Sequence, residues 1–256
     1  MRLLVIGGAG YVGRLVLPVL AGRHELRVLD LHEPDTGCEY MAGDATNPAD
    51  LARATAGAEA VVHMAMAPTT ATGRCDPTTA FDVHVRSPYL TVQAAREARH
   101  VVFVSSLSVH GGLRHRTLAA NEPADATDTY GLTKRLGEQA AAAAARETGT
   151  ALTVLRLAWP TPDTSWPAWQ VGLDDGPGPG RTYTEVDPDD PHPPVRMRDG
   201  RPVAALAGTD LATALLAALD RPDGIRTLPL TGDTTNTVID MTGTWQALDW
   251  TPTHRL

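Results

Sequence analysis

Residues 5–16 read VIGGAGYVGRLV, and the spacing of Gly7, Gly10 and Gly13 within them decides how the chain opens. A short apolar run, RLLVIG at 2–7, stands before the glycines, and an amphipathic stretch over roughly 12–22 follows them. A strand that turns at glycines into a helix lets the backbone approach a pyrophosphate, which then rests on the N–H groups of the helix start. Any tight strand–helix turn can hold glycines, so the context carries the reading, and here a strand precedes and a helix follows. The next strand-like run, ELRVLD at 25–30, closes on Asp30, about 20 residues downstream, where a carboxylate accepts hydrogen bonds from an adenosine ribose. An acid there repels a 2′-phosphate, and the following LHEP supplies no arginine to reverse this, so NAD is favoured over NADP. Arg14, at the helix start, is the cation that weakens this preference.

The alternation continues. Strand-like runs recur at 59–65 (EAVVHMA), 100–106 (HVVFVSS) and 151–158 (ALTVLRLA), with helix-like stretches near 48–56, 78–99 and 129–148. Near-continuous apolar strands separated by helices mark a parallel sheet covered on both faces. The expected fold is therefore α/β, a doubly wound parallel-sheet Rossmann domain over 1–158. From Trp159 the chain turns dense in Pro, Gly and Asp, and 159–256 reads as a short, irregular C-terminal substrate lobe. Within it a helix (TDLATALLAALD, 209–220) and a strand (GIRTLPLTG, 224–232) return to the core, about 209–232.

A net charge of −8 and a pI near 5.5 disfavour nucleic acid as a partner. No apolar run is long enough to span a bilayer, and MRLLVIGGAG runs into glycines too soon for a signal peptide. Cys38 and Cys75 form neither a disulfide framework nor a metal site, and the nine histidines show no metal-ligand spacing. A reducing cytoplasm and a metal-free mechanism are the expectations.

The stretch TDTYGLTKRLGE, 127–138, places Tyr130 and Lys134 four apart on one helix face. A nearby ammonium favours a phenolate, as a proton shuttle between an alcohol and a ketone requires near neutral pH. Ser105, Ser106 and Ser108 end the fourth strand-like run, and ligands of open parallel sheets bind beyond the carboxyl ends of strands. Ser106 is thus placed to share a site with Tyr130.

Taken in order, GGAGYVG, the GD at 43–44, the HMA at 63–65, VSSLSVHG and YGLTK resemble the extended short-chain dehydrogenase/reductases, the NAD-dependent epimerase/dehydratase family. WQALDWTP and the 209–220 helix are similar to that family's C-terminal half. The resemblance implies Tyr130 as general acid/base, Lys134 as the holder of the nicotinamide ribose and the tuner of Tyr130, and Ser106 as the binder of the reacting oxygen. It implies Gly7, Gly10, Tyr11, Val12 and Gly13 at the pyrophosphate, and Asp30 with Leu31 at the adenosine ribose. Asp44 with Ala45 would lie at the adenine, and Met64, Ala65, Met66 and Ser105 along the cofactor. A homodimer through the Tyr130 helix is the association it suggests.

Departures from the family pattern narrow the substrate. Leu107 and Ser108 replace the acidic pair of the sugar-nucleotide dehydratases, which argues against a 4,6-dehydratase. Trp159 replaces an asparagine that contacts substrate phosphates, and it offers either a flat surface for a ring or a core residue under the lobe. His84 replaces an asparagine that steadies the active-site helix, and His110 replaces a tyrosine; each is read as structural or as a titrating group at the substrate. PTPD at 160–163 is locally similar to the uronate dehydrogenases, and Trp166, Trp169, Arg181, Arg196 and Arg198 are candidate substrate contacts or solvated loop residues. The expected function is an NAD-dependent oxidoreductase acting on a secondary alcohol or ketone of a small, polar, sugar-like substrate. The alternatives are an epimerase using the same three residues and a non-catalytic, cofactor-sensing regulator.

Overall fold

The computed structural model describes residues 1–68, 75–119, 121–169 and 196–255. Its strands are β1 (Arg2–Ile6), β2 (Glu25–Asp30), β3 (Glu39–Ala42), β4 (Ala60–His63), β5 (His100–Ser106), β6 (Ala151–Leu157), β7 (Pro160–Thr161), β8 (Leu206–Ala207) and β9 (Ile225–Leu230). Seven of them form one parallel sheet in the order β3-β2-β1-β4-β5-β6-β9, while β7 and β8 pair apart from it. The strand order reverses between β1 and β4, the crevice where doubly wound sheets bind nucleotides.

Side chains alternate across this sheet. Leu3 and Val5 of β1 and Val102 and Val104 of β5 pack with α1 (Tyr11–Ala21) and α6 (Gly208–Asp220) through Val16, Leu20, Leu211 and Leu215. Leu4, Ile6, Val101 and Phe103 face the other way, onto α2 (Pro48–Thr55), α4 (Ser87–Ala94) and α5 (Thr129–Thr148). The α1/α6 cluster runs across residue 158, joining Leu155 and Leu157 to Trp159, Val203 and Leu230.

Helix ends follow local chemistry. Asn47 caps α2 by accepting from the Ala49 N–H, with Pro48 in the first turn, and Asp128 caps α5 by accepting from the Gly131 N–H. α5 stops at Gly149, whose φ of 74° suits the left-handed end of a helix. The single helix expected over 78–99 is instead α3 (Pro77–Phe81), a π-helical turn at Asp82–Arg86 and α4, ending at Ala94. β3 and α7 (Thr242–Leu248) were not expected, and the run at 59–65 is strand only to His63. No described helix is long and apolar enough to cross a membrane.

Candidate active site

The glycine loop lies against the end of β4. Gly7 has φ of 81°, and a Cβ there would sit 2.5 Å from the backbone of Ala65. A Cβ on Gly13 would sit 1.9 Å from the Gly8 carbonyl oxygen, so α1 can start this close to the loop only with glycine there. Gly10 precedes α1, and no side chain caps that helix end, which suits a bound anion. Asp30 stands at the end of β2 with its carboxylate turned to the loop. It accepts from the Ala9 N–H at 2.9 Å and from the His32 N–H at 3.1 Å. Arg14 folds back onto the Ala9 carbonyl, with Nε and Nη2 both at 3.3 Å.

Leu31 and Met66 are exposed to 66% and 43%, large apolar side chains standing beyond β2 and β4 on either side of the crevice. Met64 is buried, whereas Ala65 and Ala45 are half-buried. Asp44 is exposed, and one of its oxygens accepts from the N–H and hydroxyl of Thr46. The closely approached glycines, the helix end without a cap and the exposed apolar side chains fit a dinucleotide. Tyr11 adds a tether, its hydroxyl donating to the Pro160 carbonyl at 2.8 Å.

Tyr130 and Lys134 come from α5, which is seated by two glycines. A Cβ on Gly131 would lie 2.3 Å from the Ser108 carbonyl oxygen, and one on Gly137 would lie 1.9 Å from that of His84. The first contact brings the Tyr130 turn against the residues that follow Ser106. Lys134 is 3% exposed; its Nζ donates to the Val104 carbonyl at 3.2 Å and lies 5.5 Å from the Phe103 ring centre. Burial lowers this lysine to about 8, with the Glu138 carboxylate pulling the other way. Lys134 is also the one lysine in a chain whose lysines and arginines total 22. Ser106, nearly buried, accepts from the Ser108 N–H at 3.1 Å.

Ser105 belongs to a different set of contacts. Its hydroxyl donates to Glu138 at 2.5 Å, and Arg156 closes on the same carboxylate with Nη2 at 2.6 Å and Nε at 3.0 Å. Arg156 Nη1 lies 3.2 Å from His110 Nε2. Glu138 was missed at the sequence level, although its place four residues beyond Lys134 puts it on the same helix face.

Three residues expected at the substrate lie inside the protein. His84 is fully buried: its Nε2 accepts from the Ala67 N–H at 3.0 Å, and its Nδ1 lies 2.9 Å from Thr133 Oγ1. The backbone donor fixes the proton on Nδ1, and Thr133 in turn donates to the Thr129 carbonyl, so His84 ties α5 to the chain that follows β4. Burial, and next the Lys134 charge, push His84 down to about 2, so it does not titrate near pH 6–7. His110 is 2% exposed and lies against Arg156. Trp159, 6% exposed with φ of 50°, is a core residue under the lobe and not an open platform.

Trp166 donates from Nε1 to the Ala205 carbonyl and packs on His254, while Trp169 is half-buried against the core. Arg196 and Arg198 are exposed on a turn whose backbone is tied to Arg114, and Arg181 lies outside the described residues.

Comparison with known proteins agrees with this geometry. Human 3 beta-hydroxysteroid dehydrogenase type 7 is 34% identical over 123 residues, 42% of this chain and 33% of that protein. L-arabinose 1-dehydrogenase (NAD(P)(+)) of Haloferax volcanii is 29% identical over 177 residues, 62% of this chain and 66% of that protein. The match thus spans a third of one curated relative and just under two thirds of the other. Among solved structures, uronate dehydrogenase from Agrobacterium tumefaciens superposes with a TM-score of 0.75 at 21% identity, covering 99% of this chain and 85% of that one. An NAD-bound short-chain dehydrogenase/reductase superfamily protein from the same organism gives 0.75 at 22% identity, over 99% and 93%. The model of the NAD dependent epimerase/dehydratase family matches residues 3–160. The chain belongs to the NAD dependent epimerase/dehydratase family, whose cofactor is NAD.

Proposed function

We propose that the protein is an NAD-dependent oxidoreductase that interconverts a secondary alcohol or hemiacetal and its carbonyl form on a small, polar, sugar-like substrate. The observation that carries this reading is a buried ammonium, Lys134, on the helix face of Tyr130, with that helix seated against the residues after Ser106. Bound NAD supplies the hydride acceptor or donor. Tyr130 moves the proton of the reacting oxygen, Ser106 holds that oxygen, and Lys134 favours the phenolate and reaches toward the nicotinamide ribose. Gly7, Gly10, Tyr11, Val12 and Gly13 would hold the pyrophosphate, and Asp30 the adenosine ribose.

A small substrate is supported by Trp159, which fills the core where sugar-nucleotide enzymes carry a phosphate-contacting asparagine. The names of two similar proteins, an L-arabinose dehydrogenase and a uronate dehydrogenase, point to free sugars or sugar acids. The test is NADH formation with a panel of free sugars, sugar acids and ketones, run beside the Tyr130→Phe variant. Turnover in the variant should fall by about 10²–10⁴-fold with NAD affinity retained. Full activity in the variant, or a wild-type protein that holds NAD without exchange and oxidises none of the panel, would overturn the reading.

A further inference from the structure

A lysine ammonium buried without a counter-charge tends to lose its proton. Among the described residues, the titratable or charged groups around Lys134 are Tyr130 and Glu138 on α5, His63 on β4, His84 in the π-helical turn, Cys75, and Arg156 on β6 through its pairing with Glu138. Burial holds His63 near 3 and His84 near 2, so both are neutral at pH 7 to 8. Burial also pushes the Cys75 thiol up, which keeps it protonated there. Glu138 is then the carboxylate that can oppose the cost of burying the ammonium.

The geometry fixes that anion. Its residue is 7% exposed, the Ser105 hydroxyl holds one oxygen at 2.5 Å, and Arg156 grips both oxygens, Oε1 at 3.0 Å and Oε2 at 2.6 Å. Ser105 adjoins Ser106 at the end of β5, so the same clamp ties the carboxylate to the strand that presents the reacting-oxygen contact. No Lys134–Glu138 ion pair within 4 Å forms, so the carboxylate acts through space across one helical turn.

We propose that Glu138 is a positioning residue of this site: clamped by Ser105 and Arg156 one helical turn beyond Lys134, its carboxylate keeps that lysine charged beside Tyr130. The use made of the charge rests on the oxidoreductase reading; its presence does not.

The single lysine makes the test direct. Protein grown on lysine carrying ¹³C at Cε gives one such resonance from the cofactor-free chain, and it is followed from about pH 6 to about pH 11. Wild type should titrate near 8. Glu138→Gln should titrate about one pH unit lower, and the alkaline limb of its kcat profile should move down by the same amount. Glu138→Asp should bring both back toward wild type, which a purely structural role would not require. A folded Glu138→Gln protein with an unmoved lysine resonance overturns the proposal, whatever its activity. Should that variant not fold, Glu138→Gln is combined with Arg156→Met, which removes both buried charges together, and compared with Arg156→Met alone; a lysine that titrates alike in these two variants overturns it. If the resonance moves but no panel substrate is oxidised by wild type, the oxidoreductase reading falls and the role of Glu138 stands.

Discussion

Lys134 holds its charge at the expense of the fold. Burial sets it near 8 against an ordinary 10.5, so between those values the unfolded chain binds a proton that the folded chain does not. Stability contributed by this residue therefore rises with pH from about 8 to 10.5, and below 8 the folded protein bears the full penalty of the ammonium. That penalty is on the order of 3 kcal/mol. Lys134→Met should accordingly be more stable than wild type at pH 7 by about that much, should lose the advantage near pH 10.5, and should not turn over substrate. Urea unfolding at the two pH values checks this; a methionine variant weaker than wild type at pH 7 would contradict it. That Tyr130 and Lys134 share a helix face, and that Ser106 ends a strand, was legible in the sequence because spacing and apolar pattern are local. The Glu138–Arg156 pair was not, because two charges far apart in the chain meet only when α5 lies across β6.

At the level of elements, α5 is held by glycines and by a histidine. A Cβ at position 137 would press into the His84 carbonyl, at 1.9 Å, and neither backbone can yield without shifting the helix. Gly137→Ala should cost about 2–3 kcal/mol, visible as a lower melting temperature, and should lower kcat more than it changes NAD affinity. Unchanged melting and kcat would show that the contact is relieved cheaply. The caps and ends of α5 could be read from Asp128 and Gly149, since their chemistry is local. The π-helical turn could not, because one extra residue in a turn leaves no mark on an apolar period. β3 escaped notice for a related reason: EYMA has four residues, none buried, and pairs only along the sheet edge.

On the scale of the whole molecule, three of the described histidines are pushed furthest below the ordinary imidazole value. His63, His84 and His100 are held near 3, 2 and 4, in each case chiefly by burial. Below pH 6.5 the unfolded chain takes up protons that these sites refuse, so stability falls as pH drops through 6 and 5. With all three contributing, the slope approaches about 4 kcal/mol per pH unit. Urea midpoints at pH 7.5, 6 and 5 should show this steep loss, and His100→Gln should flatten it; a midpoint independent of pH over that range would contradict the account. The doubly wound order followed from alternating apolar runs and the glycine loop. The placing of Trp159 did not, since its backbone, at φ of 50°, turns it beneath the lobe.

That one lysine, 3% exposed beneath the cofactor crevice, has a practical consequence for handling the protein. Acylating or cross-linking reagents aimed at side-chain amines meet no lysine on the outside of the native fold. Covalent immobilisation of that kind would spare the surface, while any acylation of Lys134 would count the molecules whose site has opened.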